Sequence, residues 1–238
     1  MFREAFNKAG AKAEGTGKTD FLQAVLQERP DLRDKPAFFP TQGQKGHVVI
    51  IGDEVFKGPN RPTGESMDDY NTELATLQAL AGSGITAAIP QITTEGKDFV
   101  LFGMSRVPGE TMGYDYRTKL TTDEQKQLAK DLINFVVEMA HALPEKDGKF
   151  AMHADLYYNN IMIDPETKRL SGVIDFGIVK YTTAAGWKPM FDFEGAPFYD
   201  MLRDEFDRRK SELPGADAAP PAHSIPRFFR NALSRLST

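Results

Sequence analysis

Between His153 and Gly177 the chain places two aspartates at the two ends of a short apolar ribbon. His153-Ala154-Asp155-Leu156-Tyr157-Tyr158-Asn159-Asn160 runs into Ile161-Met162-Ile163. A polar turn follows, Asp164-Pro165-Glu166-Thr167-Lys168, and Gly172-Val173-Ile174 then leads into Asp175-Phe176-Gly177. Two apolar runs joined by a Pro-containing turn predict two paired strands. Such a ribbon holds Asp155, Asn160 and Asp175 near strand ends instead of on floppy loops, and catalysis by positioning needs that rigidity. Phosphoryl transfer requires a carboxylate to accept the proton of the attacking hydroxyl, and separate oxygen ligands for a magnesium ion that neutralises phosphate charge. H-x-D-x-x-x-x-N followed by I-D-F-G supplies this set, with Asp155 as the base and Asn160 and Asp175 as metal ligands.

Upstream, the pattern is a sheet followed by helices. Ala37-Phe38-Phe39, His47-Val48-Val49-Ile50-Ile51 and Glu54-Val55-Phe56-Lys57, separated by turn residues, predict three consecutive antiparallel strands. Tyr70, Leu74, Leu77 and Ala81 share one face of a helix over 71–81, ended by Gly82-Ser83-Gly84. Two further strands are expected at Ile89 to Ile92 and Phe99 to Phe102, around a turn at Thr94-Glu95-Gly96-Lys97. Thr121 and Glu124 form a capping box for a long helix whose Leu128, Leu132, Phe135, Val136 and Met139 make an apolar stripe.

The handover near residue 105 divides the chain into a helical extension over 1–36, a sheet lobe over 37–105 and a helical lobe over 106–213. A linker rich in alanine and proline and a basic tail complete it over 214–238. In the extension, Gly15-Thr16-Gly17-Lys18-Thr19 imitates the end of a P-loop. Lys12 stands where that motif needs glycine and no buried strand precedes it, so the segment is read as a turn between helices.

Composition narrows the function. A chain of 238 residues with 40% hydrophobic content buries one substantial core or two small lobes sharing a cleft. With 29 basic and 34 acidic residues, and a net charge of -5, it lacks the electrostatic footprint of a nucleic-acid binder. The absence of cysteine removes thiolate catalysis and thiolate metal sites. No stretch approaches the roughly 18 apolar residues of a transmembrane segment, and the first residues are charged where a signal peptide would be apolar. The expectation is a soluble, cytoplasmic protein, or one delivered into a host cell without a classical signal peptide.

The motifs at 153–177, preceded by a sheet and a helix, resemble those of the protein-kinase-like superfamily. The resemblance implies an α+β, bilobal protein-kinase-like fold with a small antiparallel-sheet N-lobe and a reduced, mainly helical C-lobe. It implies an ATP-dependent kinase using ATP and Mg2+. Lys57 then matches the lysine on the nucleotide's phosphates and Glu73 its ion-pair partner, with Asp69, one helical turn earlier, as the competitor. Met104-Ser105-Arg106-Val107-Pro108-Gly109 resembles the hinge, where the Ser105 carbonyl and the Val107 amide would hold adenine. Gly43 and Gly46 resemble the nucleotide-covering turn, with Lys45 adding charge. His153 is read as a structural histidine that orients the catalytic turn.

Departures bear on the acceptor. Ala154 replaces the arginine of H-R-D, Tyr157 replaces the lysine usual in Ser/Thr kinases, and no A-P-E motif follows. H-A-D-L is similar to the RIO kinases and V-I-D-F-G to the aminoglycoside and choline kinases. The short stretch after Gly177, set against the large helical acceptor lobe of those small-molecule enzymes, favours comparison with compact bacterial effector kinases. The expectation is therefore transfer to Ser/Thr of a protein substrate, including a host protein. An aminoglycoside-phosphotransferase-like enzyme acting on a small-molecule alcohol is the alternative, and a pseudokinase binding module the second alternative. The acidic residues Asp192, Glu194, Asp200, Asp204 and Glu205, interleaved with Arg203, Arg208, Arg209 and Lys210, read as a solvated helix face. Arg227 to Leu236 is a short basic amphipathic stretch expected to dock on the protein's own surface.

Overall fold

Alternation along the first strands decides which side chains meet which layer. In the computed structural model, which describes residues 18–40, 46–61, 63–187 and 197–215, β1 (Ala37–Phe38), β2 (Gly46–Ile51) and β3 (Glu54–Pro59) form consecutive antiparallel pairs. Gly52 turns β2 into β3 at φ +60, a conformation glycine adopts without steric penalty. β4 (Ile92–Glu95) and β5 (Phe102–Ser105) complete a five-stranded sheet in the order β1-β2-β3-β5-β4.

Because side chains alternate across a strand, the sheet has two apolar faces. Val49, Ile51, Phe56 and Leu101 pack on one side with Phe21 and Val25 of α1 (Lys18–Glu28) and with Leu32 of a following 3-10 turn. Phe102 and Met104 pack on the other with Leu77 and Leu80 of α2 (Glu65–Leu80). The helix at the N-terminal end thus shares a core with the sheet. Of the P-loop-like stretch, Lys18 and Thr19 open α1, and its glycines lie outside the described residues.

The two strands expected around residue 95 begin about three residues later than their apolar runs suggest. Ile89 and Leu101 are buried, yet both precede the strands. Ala88 is held by a different contact: its amide donates to the Ser171 carbonyl at 3.0 Å and its carbonyl accepts from the Val173 amide at 3.0 Å. This strap ties the loop after α2 to the second lobe. It also explains Gly172, since a Cβ there would lie 2.3 Å from the Ala88 carbonyl oxygen.

The second lobe follows β6 (Glu110–Thr111) and a short helix, α3 (Tyr116–Lys119). α4 (Thr122–Ala142) carries the expected capping box: the Thr121 amide donates to Glu124 at 2.7 Å and the Glu124 amide donates to Thr121 Oγ1 at 3.3 Å. Its five stripe residues are all buried. Around it lie β7 (Phe150–His153), β8 (Ile161–Ile163), β9 (Leu170–Val173), β10 (Val179–Thr182) and α5 (Pro197–Arg209). β8 and β9 are antiparallel, and Asp164 Oδ1 closes their turn by accepting from the amides of Glu166 and Thr167. β7 pairs with β10, so the segment after Asp175 returns beside the segment before Asp155. The architecture is the expected α+β one, a small sheet lobe above a mainly helical lobe.

Leu32 is fully buried where the 3-10 turn meets the sheet. Leu32→Ala is expected to destabilise the protein by about 2–5 kcal/mol in urea unfolding; a loss below about 1 kcal/mol would show that this segment does not share the core of the sheet.

Candidate active site

On β3, Phe56 faces the outer core, so its neighbour Lys57 faces inward. α2 presents Glu73 to the same space, buried beside Thr76 and Leu77. Lys57 Nζ donates to both Glu73 carboxylate oxygens at 2.8 Å and to Asp175 Oδ1 at 2.9 Å. Its choice of Glu73 over Asp69 follows from depth, because Glu73 is only 4% exposed and desolvation strengthens the pairing. Burial by itself would lower the Lys57 pKa, but the carboxylates of Glu73 and then Asp175 outweigh it and hold the ammonium above its usual range. Burial pushes Glu73 up, opposed by Lys57. Glu73 Oε1 also accepts from the Phe176 amide at 3.3 Å, which ties α2 to the segment carrying Asp175.

His153, at the end of β7, joins the two aspartate segments. Its Nε2 lies 3.1 Å from the Ile174 carbonyl, its Nδ1 accepts from the Asp155 amide at 3.2 Å, and its ring meets Phe176 edge-on at 4.9 Å. This pattern requires the proton on Nε2 and a free lone pair on Nδ1, the neutral imidazole. Burial also pushes the His153 pKa down. Asn160 locks the turn over 155–160: its Nδ2 donates to the Asp155 carbonyl at 2.8 Å and to Asp155 Oδ2 at 3.2 Å. Its carbonyl accepts from the Ile174 amide at 3.0 Å. Asp175 sits at φ +66, left-handed backbone that non-glycine residues adopt at a cost. The bonds at Ile174 and Phe176, on either side, hold it there.

The donor set fits magnesium. With Nδ2 of Asn160 engaged by Asp155, its amide oxygen is the atom left for a cation, and the Asp175 carboxylate is half exposed. Two hard oxygen donors match an ion that takes its remaining ligands from phosphates and water.

Lys57, Glu73, Asp155 and Asp175 line one cavity of about 300 Å³. Gly46 lines it too, and a Cβ there would stand 2.9 Å from the Gly58 carbonyl oxygen. Gly43 and Lys45 lie outside the described residues. Ser105 and Val107 are not among the residues lining this cavity. The Ser105 amide donates to the Gln91 carbonyl at 2.8 Å and its hydroxyl accepts from the Gln91 amide at 2.9 Å, while Val107 is buried against Gly172. Sequence reasoning gave no cavity role to His47, Ser66 or Tyr70, which also line it. A signal existed: Ser66, Asp69, Tyr70 and Glu73 recur at helical spacing, a mostly polar stripe on one face of α2.

Elsewhere, Asp200 and Asp207 pair with Arg203 and Lys210 at exposed positions, as a solvated face would, whereas Glu205 departs from that expectation: it is buried at 8% exposure and pairs with Arg208. Asp192, Glu194 and the basic stretch from Arg227 lie outside the described residues.

The fold of the chain has counterparts among solved structures. The chain superposes on a GDP complex of aminoglycoside 2'-phosphotransferase-IIIa with a TM-score of 0.67 at 17% identity, covering 83% of this chain and 88% of that one. The fold is protein-kinase-like. The chain is also similar in fold to a choline/ethanolamine kinase family protein from Mesorhizobium loti, TM-score 0.56 at 14% identity over 81% of this chain and 76% of that one. A macrolide 2'-phosphotransferase from Brachybacterium faecium gives 0.53 at 13% identity over 84% of each chain. In sequence, 48 residues are 40% identical to an aminoglycoside 3'-phosphotransferase from Streptomyces ribosidificus, a match spanning 20% of this chain and 18% of that protein. No protein-family model matches the chain. No helix among the described residues is long and apolar enough to cross a membrane.

A lowered pKa makes His153 uncharged in the fold while an unfolded chain would protonate it below about pH 6.5. The unfolded state then binds the extra proton, so this group's contribution to stability falls as pH drops below that value. NMR titration is expected to show the His153 ring still neutral at pH 6.5; a midpoint at or above pH 6.5 would contradict the bridging role of the neutral ring.

Proposed function

We propose that the protein transfers the γ-phosphoryl group of ATP, as its magnesium complex, to a hydroxyl of a small molecule. The observation that carries this reading is the convergence of Lys57, Glu73, Asp155 and Asp175 on one cavity, with Asn160 bound to Asp155. Glu73 fixes the Lys57 ammonium, and the N–H now directed at Asp175 is the one a phosphate oxygen takes. Asn160 and Asp175 are the residues that would hold magnesium, which supplies neutralisation of phosphate charge when bound. Asp155, oriented by the Asn160 amide and the His153 ring, accepts the proton of the attacking hydroxyl.

A small-molecule acceptor is favoured over Ser/Thr of a protein. A protein acceptor, and an effector role, follow only if the chain is too short for a small-molecule site. Yet this chain covers 88% of an aminoglycoside phosphotransferase, and the other solved structures it resembles include a macrolide phosphotransferase and a choline/ethanolamine kinase family protein. An aminoglycoside-type alcohol is therefore the proposed acceptor. ATP is the proposed donor, with GTP to be tested beside it because similar structures carry GDP, ADP or ATP.

Magnesium with ATP is expected to raise the melting temperature of the wild type, and Asp175→Ala to abolish the rise; an undiminished shift would remove Asp175 from the metal site. Asp155→Asn is expected to keep nucleotide binding while transfer falls by about 10²–10⁴, and wild-type turnover in this variant would refute the base. With labelled ATP, label is expected in an aminoglycoside such as kanamycin and not in the proteins of a lysate. Labelled protein bands with unlabelled kanamycin would reverse the choice of acceptor.

A further inference from the structure

Two large hydrophobic residues are exposed among those described, Phe38 and Tyr114, and Tyr114 is 80% exposed. Tyr114 is not isolated. Its ring meets Tyr158 edge-on at 5.5 Å, and Tyr158 meets Tyr157 at 5.0 Å, so three aromatic rings form one continuous patch. Tyr157 and Tyr158 belong to the turn between Asp155 and Asn160, and the Tyr157 amide donates to the Asp155 carbonyl at 2.7 Å. The loop carrying Tyr114 is stitched onto that turn: the Gly113 amide donates to the Tyr158 carbonyl at 3.2 Å and the Met112 amide to the Ile161 carbonyl at 2.8 Å. Gly113 takes φ +71 to make the approach. None of the three tyrosines lines the cavity shared by Lys57 and Asp175.

We propose that Tyr114, Tyr157 and Tyr158 form an aromatic shelf beside Asp155 that binds the ring face of the acceptor. The inference rests on the small-molecule reading of the site above. Lys57, Asp155 and Asp175 line the cavity, where the nucleotide's phosphates would sit, and the turn that carries Asp155 continues into the shelf, so an acceptor on the shelf approaches Asp155 along that turn. Tyrosine is suited to this: its ring is a rigid, flat surface that loses little entropy on binding. A hydroxylated six-membered ring offers a C–H face to the aromatic rings while its rim hydroxyls remain free for Asp155. Amino groups on such a ring gain further attraction from the aromatic faces. An open-chain alcohol has no flat face to lay on the shelf. Tyr157 is thus a specificity residue at the position where Ser/Thr kinases carry lysine.

The test is steady-state kinetics of the full chain with ATP and magnesium, using kanamycin as the ring acceptor and choline as the open-chain one. Tyr114→Ala, at an exposed position that tolerates truncation, and Tyr158→Ala are each expected to raise the KM for kanamycin roughly three- to tenfold. The Kd for ATP and the kcat are expected to stay within twofold, and Tyr114→Phe and Tyr158→Phe to restore the KM. Alanine variants with unchanged KM beside an active wild type overturn the shelf and leave phosphoryl transfer to small molecules standing. Equal loss in kcat and KM without rescue by phenylalanine marks a structural role and also overturns it. A wild type that phosphorylates choline but not kanamycin refutes the ring preference, and one that labels only proteins refutes both readings.

Discussion

A lysine and a glutamate facing each other between β3 and α2 set the geometry on which everything else depends. Glu73 is nearly sealed from solvent and Lys57 is mostly covered, so each charge needs the other. Breaking such a pair by removing one member costs about 3–5 kcal/mol, because the remaining charge stays buried. The pair does more than stabilise. Through the Phe176 amide and Asp175 it reaches across to the second lobe, so the position of α2 and the backbone of Asp175 are settled together. The surface pairs on α5 have no comparable reach, since exposed pairs contribute little and bind only near neighbours.

The second lobe answers with a neutral imidazole. His153 spans from Asp155 to Ile174 and packs on Phe176, so the turn bearing the proposed base and the strand leading to the proposed metal ligand are held against each other. Asn160 adds a second link, holding Asp155 with its side chain and the Ile174 amide with its carbonyl. The Ala88 strap on β9 then ties these segments to the loop behind α2. Three short-range devices thus fix groups contributed from distant parts of the chain.

Much of this was legible in the sequence because it is encoded locally. The ribbon over 161–173 and the capping box at Thr121 depend on neighbouring residues, and both have the expected form. The Glu73 partner of Lys57 was also readable, since a helix face offers few candidates and depth selects among them, whereas the second partner, Asp175, comes from the distant ribbon. What was not legible depends on distant contacts. Ile89 and Leu101 look like strand residues from their apolarity, but Ile89 follows a segment recruited by β9 and Leu101 contributes to the core under α1. The polar stripe of α2 was hidden because only burial shows that Ser66 and Tyr70 face a cavity instead of water. Chain length, which pointed to a protein acceptor, says little about which surface flanks Asp155.

The central claim is that Asn160 and Asp175 share one cation while Lys57, still paired with Glu73, serves a phosphate. A crystal structure of the chain with magnesium and a non-hydrolysable ATP analogue tests it most directly. The account predicts an ion bound by the Asn160 amide oxygen and the Asp175 carboxylate, with Lys57 Nζ on a phosphate oxygen and Glu73 within hydrogen-bond distance. A nucleotide seated away from these residues, or an ion held by neither of them, would contradict it.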